Sequence, residues 1–208
     1  MPHVELQYGL TGKALPSDHG YALFSAISRL VPEIHAADWL AIETVAGTAR
    51  GDGVTQLDEH ARLRVRLPQE RVPLLLKLAG QRLDVAGHAV RLGAPQIYLL
   101  RPSSALYSRI VVIKGYTEPE PFLDAVCRKL QELGVPGEPV VGPRRVLKVG
   151  THTIVGFAVA AHELSDDASI LLQERGLGGR RHMGCGIFNP ISLDRVIGKP
   201  PTSKIRKE

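Results

Sequence analysis

Cysteine is nearly absent from this chain: Cys127 and Cys185 are the only two, far apart and in no CxxC pair. That excludes a disulfide framework, disfavours a structural zinc site and fits a reduced, cytoplasmic setting. Aromatic residues are also scarce, at 5% with a single tryptophan. Such a chain is poorly suited to single-strand nucleic-acid binding that rests mainly on base stacking. No run approaches the ~20 uninterrupted apolar residues of a membrane span, and the opening MPHVELQYGLTGK has Glu5 where a secretory signal would be apolar. No membrane partner is expected. HExxH, an EF-hand loop and a dense carboxylate cluster are all missing, so no metal or other cofactor is expected. The P-loop pattern GxxxxGK[ST] is missing too, and Gly176-Leu177-Gly178 meets Arg181 where a GxGxxG fingerprint needs its third glycine.

What is present is an ordinary globular composition, 44% hydrophobic and 23% charged over 208 residues, enough for one sizeable domain or two small ones. The net charge is +5. From Arg175 onward the chain carries Arg175, Arg180, Arg181, Arg195, Lys199, Lys204, Arg206 and Lys207 against Asp194 and Glu208, which accounts for the whole excess. Nucleic acid is the leading partner on that ground.

The element order suggests a duplication. HVELQY alternates as a strand, and Ser17 or Asp18 can cap a helix whose Leu23, Ile27, Leu30 and Ile34 share one face. LAIETVAG and ARLRVRLP read as strands, the second placing Arg62, Arg64 and Arg66 on one face. QERVPLLLKLAG reads as a helix, QRLDVAGHAVRL as a hairpin and PQIYLL as a further strand. A similar order follows: strand LYSRIVVIKGY, helix PEPFLDAVCRKLQELG, two strands turning near Gly150, and helix DDASILLQERG. The fold class is therefore α+β, two tandem ferredoxin-like (RRM-like) βαββαβ halves with a C-terminal glycine-rich loop. Domain boundaries fall at 1–101 and 106–208.

That loop, GLGGRRHMGCGIF, sets Gly176, Gly178, Gly179, Gly184 and Gly186 around Arg180, Arg181 and His182. Glycine costs about 0.5–1 kcal/mol per residue in regular structure, so the run implies a sharp bend or a close approach. Either a flexible surface loop or an anion-holding loop satisfies the pattern; exposed N–H groups and arginines suit phosphates. The series GhGxxxxxGxG with a basic middle resembles the C-terminal motif of CRISPR-associated endoribonucleases that cut precursor CRISPR RNA. These form the Cas six family of the repeat-associated mysterious protein superfamily. The resemblance spans nearly the whole chain, since length, duplicated architecture and motif position all agree.

The resemblance implies metal-independent cleavage, in which the ribose 2′-hydroxyl attacks its own phosphate and leaves a 2′,3′-cyclic phosphate and a 5′-hydroxyl. It implies a catalytic histidine on or just after the first helix. His35, in LVPEIHAAD, fits that position best and His19, in PSDHGYALF, is the second candidate. Many relatives add a tyrosine and a lysine near the histidine; here Ser28 occupies the corresponding turn and no lysine follows His35 closely. The five glycines with Arg180, Arg181 and His182 are expected to contact RNA, and Arg144, Arg145 and Lys148 to clamp the phosphates of a repeat stem-loop. The expected partners are that stem-loop and other subunits of a CRISPR effector complex. A non-catalytic RNA-binding subunit is the alternative function, and solvated charged loops the alternative reading of the basic clusters.

Overall fold

The computed structural model describes residues 2–150 and 152–192; Arg195 and the basic residues after it lie outside them. In the first half β1 (His3–Gly12) leads through β2 (Ala14–Pro16) to α1 (Gly20–Leu30), β3 (Ala41–Ile42), β4 (Thr48–Ala49), β5 (Val54–Gln56) and β6 (Arg62–Pro68). The half ends with α2 (Val72–Leu76), β7 (Arg82–Val85) and β8 (His88–Leu99). The second half contains β9 (Ala105–Val111), α3 (Pro119–Leu133), β10 (Glu138–Val149), β11 (His152–His162), α4 (Asp166–Arg175) and β12 (Asn189–Pro190).

Two antiparallel sheets carry the architecture, ordered β3-β6-β1-β8-β7 and β10-β11-β9-β12. Taking β1, β3, β6 and β8 as the four core strands of the first half, both halves show the same 2-3-1-4 order. The fold is thus the tandem ferredoxin-like α+β arrangement. Alternation drives it: Val4, Leu6, Tyr8 and Leu10 of β1 face a core shared with Leu23, Phe24 and Ile27 of α1. The Tyr8 hydroxyl donates to the Leu75 carbonyl at 2.7 Å and ties α2 beneath that strand. In the second half Phe122, Ala125, Val126 and Leu130 of α3 pack with Phe157 and Val159 of β11. Gly134, at φ 72°, ends α3 in the left-handed conformation expected of a glycine stop.

Several local expectations change: PQIYLL continues the hairpin strand as one β8, and the helix read over Gln69–Gly80 is only Val72–Leu76. The strand read over Leu40–Gly47 shrinks to Ala41–Ile42 in the sheet, because the Val45 N–H bonds a side chain instead of a strand. Neither Ser17 nor Asp18 caps α1: its N-cap is His19, with no side-chain cap, and the Asp18 carboxylate accepts from the Lys148 N–H. The arginine face of β6 is not uniformly wet. Arg64 is exposed, whereas Arg66 is buried where the two halves meet. Its Nη1 donates to the carbonyls of Gln173 and Phe188 at 3.0 and 2.9 Å, and its Nη2 to Glu5 and Asn189 at 3.0 and 2.8 Å.

Candidate functional site

α1 begins at His19, and this imidazole is a structural part. It is 2% exposed; the Val45 N–H donates to Nε2 at 2.8 Å, so Nδ1 carries the proton and donates to the Pro16 carbonyl at 2.7 Å. Burial, opposed only in part by the Pro16 contact, pushes its pKa below the usual 6.5. A neutral ring with both nitrogens occupied has no nitrogen left for a substrate proton. In the structure the ring holds the Pro16 and Val45 backbones together.

His35 closes a short 3₁₀ turn, Pro32–Ile34, beyond α1 and is exposed. Its ring lies nearly parallel to that of Phe24, centroids 6.2 Å apart and planes 19° apart. His182, from the glycine-rich loop, meets the same Phe24 ring at 4.3 Å. Its pKa is pushed below 6.5 by burial first, then by Arg180 and His35. The fold thus brings together His35, His182 and Arg180, two of them from the loop and one from the far end of the sequence. Ser28 takes no part in this group: its hydroxyl donates to the Ser25 carbonyl one turn back.

The glycines serve the sharp bends and close approaches expected of them, and the partner they approach in the structure is the chain itself. Gly176 and Gly186 adopt φ of 64° and 65°, and a Cβ at either would run into backbone, the Gly186 carbonyl for Gly176 and the Leu177 carbonyl for Gly186. A Cβ at Gly178 would meet the Val112 carbonyl, and one at Gly184 would crowd the Thr44 methyl at 2.7 Å. The loop is stitched down by Leu177 N–H to Gly186 O, Gly179 N–H to Val112 O and Gly186 N–H to Ile110 O, at 3.1, 3.0 and 2.8 Å. These four glycines let the loop pack on itself, on the end of β9 and on Thr44. Only Gly179 is both exposed and open to further contact, with nothing near its Cβ position.

The two arginines separate as well. Arg180 is exposed, in the left-handed region at φ 63°. Arg181 turns inward: Nη2 donates to the Glu174 carbonyl at 2.6 Å, in the last turn of α4, where a cation suits the carbonyl end of the helix. Desolvation, with Arg66 and Arg175 nearby, pushes its pKa down to about 10. Arg181 fastens the loop to α4.

Arg144, Arg145 and Lys148 stand exposed along β10, past a bulge between Val141 and Arg144. Buried Leu147 shares a small cluster with Met183 and Cys185, which fixes this strand against the loop. Sequence reasoning missed a second basic surface. A cleft of about 790 Å³ is lined by Lys114, Arg128, Lys129 and Arg180, with Gly178 and Gly179 along its wall. In the sequence Lys114 reads as part of a strand, and Arg128 and Lys129 as the polar face of an amphipathic helix. Among the described residues, one trio could approach a cation, Glu138, His162 and Glu163, at the open end of the β10–β11 hairpin.

Two ferredoxin-like sheets in tandem, closed by a C-terminal glycine-rich loop, define a repeat-associated mysterious protein fold. A family model described as "Cas6 Crispr" matches residues 4–193. The chain is 38% identical over 190 residues to the CRISPR-associated endonuclease Cas6 of Myxococcus xanthus strain DK1622, covering 91% of this chain and 82% of that protein. It belongs to the Cas6 family. Solved structures agree on the fold at low identity. A Cas6-related protein from Pyrococcus furiosus superposes with a TM-score of 0.67 at 14% identity, over 92% of this chain and 99% of the other. A protein described as a RAMP protein binding different RNA substrates gives 0.65 at 15%, over 92% and 100%. No helix among the described residues is long and apolar enough to cross a membrane.

Proposed function

We propose that this chain is an endoribonuclease that binds the stem-loop of a CRISPR repeat and cuts precursor CRISPR RNA into guide RNA. The observation that carries the reading is that His35 and His182 both lie near the Phe24 ring, with exposed Arg180 a charged neighbour of His182. Cleavage by an internal 2′-hydroxyl needs an acid, a base and positive charge for the phosphate oxygens, and imidazole and guanidinium supply all three without a metal. His35 serves as acid or base and Arg180 holds the scissile phosphate. Lys114, Arg128 and Lys129, with Arg144, Arg145 and Lys148, hold flanking phosphates, so the helical stem is read by shape. The Myxococcus relative's name, an endonuclease, supports turnover. After cutting, the enzyme keeps the stem-loop and joins other subunits of an effector complex.

The test is product chemistry. Repeat RNA from the source genome should yield a 2′,3′-cyclic phosphate and a 5′-hydroxyl by mass spectrometry. A single 2′-deoxy substitution at the cut site should block the reaction and leave binding intact. Cleavage of the 2′-deoxy RNA would reject the mechanism. Tight binding of unmodified RNA without any cut would favour the non-catalytic subunit.

A further inference from the structure

In-line attack of O2′ on phosphorus expels O5′ from the opposite side, so the proton removed and the proton delivered belong to two places. One imidazole serves one of them at a time. The structure offers two on different elements near one aromatic ring: His182, in the 3₁₀ turn Arg181–Met183, with its centroid 4.3 Å from that of Phe24, and His35, beyond α1, at 6.2 Å. We propose that His182 is the general base for the 2′-hydroxyl and His35 the general acid for the departing 5′-oxygen. This rests on the ribonuclease reading above and divides its labour.

His182 is held for such a task. The Met183 N–H donates to the Arg180 carbonyl at 2.9 Å, Met183 is buried, and the backbone of Gly20 closes on the Met183 carbonyl so tightly that a Cβ would not fit. The Phe24 ring, 6% exposed, packs against the imidazole with centroids 4.3 Å apart. A group prepositioned in this way loses little freedom as the transition state forms. Its partial burial, with the Arg180 guanidinium on its own loop and the His35 ring beyond α1 as neighbours, favours the neutral imidazole, the form a base requires. In the step, a His182 ring nitrogen takes the O2′ proton as the O2′–P bond forms. The P–O5′ bond breaks with its electron pair going to O5′, and the His35 imidazolium protonates that oxygen. Water then restores both rings.

Single-turnover cleavage at saturating enzyme, with repeat RNA from the source genome, tests the division. One substrate is unmodified; the other carries a 5′-bridging sulfur at the scissile bond, whose thiolate leaves without an acid. His182→Ala should lose roughly 10²-fold or more on both substrates, the scale of a lost acid–base group, while its affinity for 2′-deoxy repeat RNA persists. His35→Ala should be slow on the unmodified RNA and recover on the sulfur substrate. The acidic limb of the pH–rate profile should flatten in His182→Gln, which keeps the loop's packing should the alanine variant misfold. Recovery of His182→Ala on the sulfur substrate would make it the acid and overturn the assignment. So would a saturating rate equal to wild type with weakened binding, or full activity in His182→Phe, which keeps only the ring contact. A His35→Ala enzyme that cuts both substrates at the wild-type rate refutes the role of His35 in the preceding reading, while the base assignment stands or falls on the His182 variants.

Discussion

The guanidinium of Arg66, on a strand of the first half, donates to the main-chain carbonyl of Phe188 in the second at 2.9 Å. The same side chain holds the Gln173 carbonyl, Asn189 and Glu5, with the Glu43 carboxylate 3.7 Å away. Burial, then Glu5, raises the Glu43 carboxyl above its usual pKa, with Arg66 pulling it the other way. Arg66→Ala strands buried carboxylate and carbonyl groups and should destabilise by about 3–5 kcal/mol in denaturant unfolding. Arg64→Ala, exposed on the same strand face, should stay within about 0.5 kcal/mol.

His19 gives stability a sign with pH. Its folded pKa lies below 6.5, so below that value the unfolded chain binds the extra proton and stability falls as pH drops. His3 and His182, also depressed, add in the same direction. The urea midpoint should decline from pH 7.5 to 5 in wild type and decline less in His19→Gln. If both ring nitrogens stay on Val45 and Pro16, the same variant, once folded, should cut repeat RNA at the wild-type saturating rate; a large loss at unchanged affinity would return His19 to the catalytic candidates.

The loop glycines should respond unequally. Gly186→Ala forces a Cβ into the Leu177 carbonyl at positive φ; the strained backbone alone costs about 1–3 kcal/mol. Gly179→Ala meets open space and should leave the melting temperature close to wild type, so that any loss it shows appears in RNA affinity.

Much of this was written in the chain. Hydrophobic alternation in HVELQY and ARLRVRLP and the helical period of PEPFLDAVCRKLQELG mark strands and a helix that the fold contains, and their repeated order discloses the duplication. His35 and the glycine-rich loop were legible as candidates for the same reason that they resemble a family. What periodicity cannot show is which way a side chain turns once two halves dock. Arg66, Arg180 and Arg181 are alike in sequence, yet the first bolts the halves together, the second stays in solvent and the third caps a helix end. His182 and His35 lie near the same Phe24 ring, a residue that reads only as core.

The division between Arg180 and Arg181 predicts two different failures. Arg180→Ala should weaken repeat-RNA binding and lower the slope of log affinity against log salt by about 0.7–0.9, the loss of one phosphate contact. Arg181→Ala should show its loss in thermal stability, because it releases the Glu174 carbonyl and the loop with it. A pair of substitutions in the cleft, Arg128→Ala with Lys129→Ala, should lower the salt slope by about twice the single contact without changing which bond is cut.

The most direct measurement is single-turnover cleavage of repeat RNA in excess EDTA by wild type and His35→Ala, with binding followed in parallel. Undiminished cutting by wild type, and a loss of roughly 10²-fold or more in the variant at unchanged affinity, is the predicted result. Cutting that EDTA abolishes, or a variant that cuts as fast as wild type, would contradict the account.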